Sequence, residues 1–363
     1  MTIHIRRAAA AALAAVLLAA PALAQQPPSA VTLTINPDPP CLDTRPNGYL
    51  NFDLVIRNGT AREVKVRELR AKVLGPKDEL LEQRIAWQDA VSILGPHRTV
   101  AAGAEGLLYN PFHFNTAGQP GARIRYELTF ESGPPAEVTV RPRACVTRAR
   151  LISPVAGRVL IHDGFDFLSH HRRQAFQIEP QFKAFGLVDN WYRFALDFIP
   201  IDEKGAMFRG EGGAYEDWYG WGMPVQAAGD GVVTHVRDTI PDNALGSEAR
   251  DAKRLSQDEM DSDGNYVLVD HGTGEVSAYS HLRRGSARVK AGERVKAGQP
   301  IAAIGNSGAT PVPHLHYELR AAPGFGVRGV RSLPPYFHGV KVLGTGEGPG
   351  PVQLNTGDVL IAR

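Results

Sequence analysis

Residues Ile301-Ala-Ala-Ile-Gly-Asn-Ser-Gly-Ala-Thr-Pro-Val-Pro-His-Leu-His-Tyr-Glu-Leu-Arg320 join an apolar run, a Gly-Asn-Ser-Gly turn and an alternating segment. Alternation predicts a β-strand, and residues two apart on a strand share a face. His314 and His316 therefore point the same way, with Leu315 turned to the other side. Two neutral imidazoles side by side suit a transition metal, or one metal ligand beside one acid/base group. A bare His-x-His pair can also be two surface histidines on an edge strand. The turn before it, and a third histidine upstream in Tyr279-Ser-His281-Leu, favour the chemical reading.

The sequence on either side has the same texture. Pro224 to Arg237 reads as strand, glycine turn, strand. Asn265 to His271 and Val276 to Leu282 form a hairpin around Gly272-Thr273-Gly274, and Val289 to Ile304 gives further short strands. Helical periodicity is almost absent from 223 to 320, so a compact antiparallel β domain is expected. The polar insertion 238–263 reads as a solvated face with no metal role, and His271 as structural. Residues 338–363 are expected to be mostly irregular, with one strand at Val359-Leu-Ile361.

Before residue 150 a second pattern appears. Short alternating runs (Val31 to Pro37, Tyr49 to Arg57, Glu63 to Leu74, Arg123 to Phe130) are separated by turn signals such as Asn58-Gly59 and Gly75-Pro76. That spacing predicts an immunoglobulin-like β-sandwich. Nothing in it looks catalytic, and His97 and His113 read as structural. Between the two patterns, 148–222 reads as an irregular connecting region rich in glycine and aromatic residues. It contains Ser169-His170-His171-Arg172-Arg173 and Trp191-Tyr-Arg-Phe-Ala-Leu-Asp-Phe198. Trp191, Tyr215, Trp218, Tyr219 and Trp221 fit a core better than the wall of a binding groove.

The first 24 residues resemble an export signal: Arg6 and Arg7, an apolar run from Ala8 to Ala20, then Ala22-Leu-Ala24. The run is short for a membrane span, and no other long apolar segment follows, so an integral membrane protein is not expected. Periplasmic or extracellular localisation is. The net charge is +2, and the export segment holds two of the arginines, so charge gives no sign of a nucleic-acid partner. The only two cysteines, Cys41 and Cys145, flank the front module, and export favours a disulfide between them.

Taken together, Asp197, Ala228-Gly-Asp-Gly-Val-Val233, Val269-Asp-His-Gly272, Tyr279-Ser-His-Leu282, Val295-Lys-Ala-Gly-Gln-Pro-Ile301, Gly305-Asn-Ser-Gly308 and His314-Leu-His316 resemble the LytM/lysostaphin-like zinc endopeptidases. The resemblance covers roughly residues 190–322. It implies a β-rich fold with a groove over an antiparallel sheet, a catalytic Zn2+ and hydrolysis of peptide bonds in peptidoglycan. By motif position Asp197 and His316 would be zinc ligands. His281 and His314 would flank the attacking water or the developing oxyanion. Zinc with three protein ligands keeps a position open for chemistry.

This sequence departs from the pattern at one position. The family's first ligand is a histidine four residues before the aspartate, where this chain has Arg193, and a guanidinium has no lone pair to offer. Two explanations stay open. In one, His170 or His171 supplies the third ligand from a folded-back loop. In the other, Arg193 pairs with Asp197 in place of the metal, leaving an inactive domain that binds peptidoglycan or regulates another cell-wall hydrolase. The glycine-rich half-motifs also resemble lipoyl- and biotinyl-carrier domains, but no lysine stands on the hairpin such a carrier needs.

The expected architecture is therefore mainly β: export segment 1–24, immunoglobulin-like sandwich 25–147, connecting region 148–222 carrying Asp197, LytM-type antiparallel β peptidase core 223–322, and C-terminal extension 323–363.

Overall fold

The structure is a computed structural model describing residues 30–42, 50–184, 186–247, 252–344 and 351–362. The expected export segment, 1–24, lies outside the described residues. The fold is mainly β, and no helix among the described residues is long and apolar enough to cross a membrane.

Two sheets form the front module. One runs in the order Glu105–Tyr109, Leu50–Asn58, Val31–Leu42, Arg143–Ala144. The other runs Leu80–Trp87, Val64–Leu74, Arg123–Phe130, Ala136–Val140, with Thr99–Val100 paired to Val64–Leu74. Alternation makes the core: Phe52, Leu54 and Ile56 from one sheet meet Val66, Leu69, Tyr126 and Leu128 from the other. Burying each such side chain stabilises the module by about 1.5–3 kcal/mol. The expected disulfide is present, joining Cys41 to Cys145 across 104 residues. The face of Leu50–Asn58 away from this core is not free, because Asn51 and Asp53 are also buried.

What covers that face is the segment 165–193. Its aromatic residues form a small core of their own from Phe176, Phe182, Trp191 and Tyr192, with Phe176 stacked on Trp191 at 4.3 Å. Trp191 is thus a core residue, whereas Tyr215 and Trp221 stack at 4.0 Å in a half-buried pair.

The second module is one large antiparallel sheet, in the order Arg294–Val295, Gly231–Arg237, Tyr266–Asp270, Glu275–Ser280, Leu315–Ala321, Leu196–Pro200, Gly157–Asp163, Val359–Ala362, Val340–Val342. The Tyr266–Asp270 and Glu275–Ser280 hairpin turns through Gly272 and Gly274 at φ of 71° and 84°, a region only glycine enters freely. The sheet reaches beyond 223–322. Leu196–Pro200 and Gly157–Asp163 come from the stretch expected to be irregular. Val340–Val342, Val359–Ala362 and Ser332–Leu333, which pairs with Leu315–Ala321, come from the C-terminal extension; with Phe337–His338 it lays down four short strands rather than one. Leu196–Pro200 shows no alternation because it is buried on both faces, and a short apolar run of that kind has no distinctive periodicity.

Candidate metal centre

Strand pairing assembles the site. In the register, Asp197 of Leu196–Pro200 lies opposite His316 of Leu315–Ala321. On the other side Ser280 lies opposite His316, so His281 emerges at the end of its strand beside the same point. His314 bridges to Gly305 just before Leu315–Ala321 begins. Asp197 Oδ1 is 3.1 Å from His316 Nδ1 and 3.3 Å from His314 Nε2. The His281 ring lies 4.9 Å from that of His314 and 5.5 Å from that of His316. All four side chains are buried along one wall of a cavity of about 280 Å³, also lined by Tyr192, Ile199, Pro311 and Val312.

The protons can be assigned from the partners. His281 Nδ1 is 2.8 Å from the Ser307 carbonyl, and His314 Nδ1 is 2.9 Å from the Val312 carbonyl. A carbonyl only accepts, so both Nδ1 atoms carry hydrogen and both Nε2 atoms are left for the cavity. His281 is held at a φ of 62°. The turn that presents Ser307 needs glycine: a Cβ on Gly308 would stand 2.4 Å from Gly264 N. For His316 the assignment is reversed. Its Nε2 is 3.0 Å from Glu318 Oε1, so Nε2 carries the hydrogen and the Nδ1 lone pair faces Asp197.

A lone pair 3.1 Å from a carboxylate oxygen requires positive charge between them, either a proton or a cation. Burial lowers the pKa of His316, but its bonds to Asp197 and Glu318 outweigh this and raise it to about 10. His314 is raised in the same way, with Asp197 outweighing burial. Asp197 would be raised by burial, yet the imidazoles of His171 and His314 and the bonds from His314 and His316 hold it well below the usual carboxylate range. Burial pushes His281 well below 6.5.

Of the two histidines at 170 and 171, His171 turns inward. Its ring is buried, 4.8 Å from the His316 ring, with Nε2 at 3.6 Å from Asp197 Oδ2, beyond hydrogen-bond reach. Its Nδ1 is buried and has no hydrogen-bond partner among the described residues. His171 lines the cavity, so the Nε2 lone pair is open to a ligand there, while Nδ1 carries the hydrogen of the neutral ring. Burial holds it neutral, with its pKa well below 6.5, as a ligand requires. His170 is exposed, and its Nδ1 and backbone N–H are both taken by Asp163. Ligand atoms of Asp163, His170, His171 and Asp197 lie within 4.8 Å of one another, as do those of His281, His314 and His316. The two groups meet at Asp197, whose Oδ2 faces His171 and whose Oδ1 faces His314 and His316. The donor set of two imidazoles and a carboxylate fits zinc.

Arg193 does not pair with Asp197, which removes that explanation for its presence. Its guanidinium faces away, to Asp53 at 2.7 Å and Asp189 at 2.9 Å. Residues 190–195 are turns rather than extended chain, so positions 193 and 197 share no face.

Several residues behind the site escaped the sequence reading. Glu318, Arg320 and Asp263 form a buried chain of charge: Arg320 Nη2 is 2.7 Å from Glu318 and 3.1 Å from Asp263, and Ser280 Oγ donates to Asp263. Asp263 belongs to the insertion read as a solvated face, yet it is buried. The period-two pattern carries the signal, since Glu318 and Arg320 follow His316 on the same face. Tyr192, whose ring lies 5.1 Å from that of His316, was also passed over as a site residue.

Residues 218–326 match peptidase family M23. Among curated proteins, the chain is 38% identical over 98 residues to the peptidoglycan DD-endopeptidase ShyC of Vibrio cholerae, covering 27% of this chain and 17% of that one. It is 40% identical over 70 residues to the murein hydrolase activator EnvC of Escherichia coli, covering 19% and 16%. The chain therefore spans less than a fifth of the length of these relatives. The solved catalytic domain of lysostaphin from Staphylococcus simulans aligns at 20% identity over 38% of this chain and 73% of that one, with a TM-score of 0.24. The family match contains His281, His314 and His316, and begins after His171 and Asp197.

Proposed function

With residues 218–326 standing as a peptidase family M23 domain, we propose that this protein is an exported zinc-dependent endopeptidase that hydrolyses peptide bonds in the stems or cross-bridges of peptidoglycan. His171 Nε2, Asp197 and His316 Nδ1 would hold the zinc ion, and His281 and His314 would act on the reacting groups. The observation that carries this reading is the inward-turned His171, whose Nε2 stands 3.6 Å from Asp197 Oδ2 and whose ring lies 4.8 Å from that of His316, a donor that Arg193 cannot be.

When bound, zinc supplies Lewis acidity at neutral pH. The chain's own residues do the rest. Glu318 fixes the His316 ring with Nδ1 facing Asp197, as a carboxylate behind a metal-bound histidine does. His281, kept neutral by burial and anchored at Ser307, presents Nε2 as a base for the proton of the attacking water. His314, anchored at Val312 and favoured in its charged form by Asp197, offers an Nε2 hydrogen to the oxyanion or the leaving amine. Periplasmic or extracellular placement draws support from the N-terminal signal-like sequence and the Cys41–Cys145 disulfide.

The test is zinc content per chain of the purified protein, followed by release of muropeptides from isolated peptidoglycan. About one zinc per chain and zinc-dependent cleavage supports the enzyme. Zinc near zero, not restored by added metal, replaces it with a binding or activating role of the kind named for EnvC.

A further inference from the structure

We infer that Asp53, on the sandwich strand Leu50–Asn58, is a positioning residue for the metal centre and makes cation binding depend on the docked sandwich. The inference rests on the ligand set proposed above. Asp53 is fully buried, and both of its oxygens are committed to the segment that carries His171. Oδ1 accepts Arg172 Nη1; Oδ2 accepts Arg193 Nη2 at 2.7 Å and Gln177 Nε2 at 2.8 Å.

Arg172 is the residue after His171. Its second guanidinium nitrogen donates to the carbonyl of Phe52, so the neighbour of the proposed ligand is fastened to the sandwich at two points. Asn51, on the same face of the strand, donates to the carbonyls of Phe165 and Arg193, each at 3.1 Å. Asn190 closes the arrangement from within: its Nδ2 donates to the His171 carbonyl at 2.7 Å, and its Oδ1 accepts Tyr192 N at 3.0 Å.

The loop that presents His171 and the chain leading into Asp197 are thus tied to each other and to the sandwich. Among the described residues the His171 ring makes no hydrogen bond, so its aim depends on this backbone and on the rings packed against it. Asp197, His281, His314 and His316 differ in this respect, being held by strand pairing or by backbone carbonyls of the second module. Charge explains why Asp53 dominates. Arg172 and Arg193 are buried against two carboxylates, Asp53 and Asp189. Neutralising Asp53 leaves two desolvated guanidinium groups with one partner, and a buried charge without compensation moves toward water. That movement takes His171 with it. The arginine that replaces the expected histidine at 193 therefore serves docking, while ligation passes to a loop the docking holds in place.

The experiment uses the full chain, stripped of metal, with zinc affinity measured by competition with a chromogenic chelator. Asp53→Asn is compared with wild type, with His171→Ala and with Leu69→Ala, which loosens the sandwich core from the opposite sheet and leaves the charged docking contacts in place. The expected result is a loss of zinc affinity in Asp53→Asn of roughly 10–100-fold, the range seen when groups supporting a ligand are removed. The cobalt(II) absorption spectrum of Asp53→Asn should match that of His171→Ala, and Leu69→Ala should melt earlier at unchanged affinity. Wild-type affinity in Asp53→Asn, or an equal loss in Leu69→Ala, overturns the positioning role. Wild-type affinity in His171→Ala, or no zinc in wild type, overturns the ligand set itself. If Asp53→Asn does not fold, Arg172→Gln, which preserves the Asp53–Arg193 pair, carries the same comparison.

Discussion

Glu318 accepts the Nε2 hydrogen of His316 at 3.0 Å from two positions further along the same strand, with both side chains buried. Because the strand fixes that spacing, the pair behaves as a preset unit that leaves His316 Nδ1 free to ligate. Arg320 braces Glu318 from the far side and holds its pKa down against the effect of burial. Glu318→Gln keeps the shape but removes the charge. It should weaken zinc binding by roughly 10–100-fold with the fold intact, read as a chelator-competition curve alongside circular dichroism. Unchanged affinity would show that the carboxylate does not tune His316.

Separate alanine substitutions at 170 and 171 distinguish the two neighbours. His171→Ala should lose bound zinc, whereas His170→Ala, an exposed ring held by Asp163, should retain it. Metal analysis after dialysis decides between them, and the reverse pattern would move the third ligand to His170.

Turnover and metal content should separate at the other two histidines. His281→Ala and His314→Ala should each lower kcat by roughly 10²–10⁴-fold, the usual range for a lost acid or base, while zinc content stays near that of wild type. Equal loss of metal and activity would mean that these residues are ligands instead.

Zinc uptake should release protons. In the metal-free protein His316 has its pKa raised to about 10, so at pH 8 it holds a proton that the incoming cation must displace. Titration calorimetry in buffers of different ionisation enthalpy should report about one proton released from this group. The sign for stability follows. A raised pKa means that the proton's contribution is complete below the unfolded value near 6.5 and is lost as pH rises through about 10. The metal-free protein should therefore lose this contribution over that window, and zinc should remove the dependence.

The parts of the site that lie along one strand or turn were legible in the sequence. His314 and His316 share a face by period alone, and the glycine turn before them reads from its residues, whereas Asp197 and the role of His281 came only with the resemblance to the LytM/lysostaphin-like endopeptidases. The adjacent His170 and His171 could not be told apart, because which ring turns inward depends on how a loop docks on another module. The same holds for Arg193. Its chemistry ruled out ligation, but its partner Asp53 lies 140 residues away and no local pattern joins them. Leu196–Pro200 was missed as a strand for a different reason: burial on both faces erases the alternation that marks a half-buried strand.

The seating of Leu196–Pro200 between Gly157–Asp163 and Leu315–Ala321 also sets an order of events in time. Asp197 and His316 are separated by 119 residues, so a chain emerging from its amino end cannot hold both until the sheet's later strands have arrived. Closing so long a loop is slow compared with forming a local hairpin. With the proposed ligand set, capture of the ion would be a late, all-or-none mark of a finished molecule. A fragment cut at the family boundaries, 218 to 326, would carry three histidines of the site and never reach that mark.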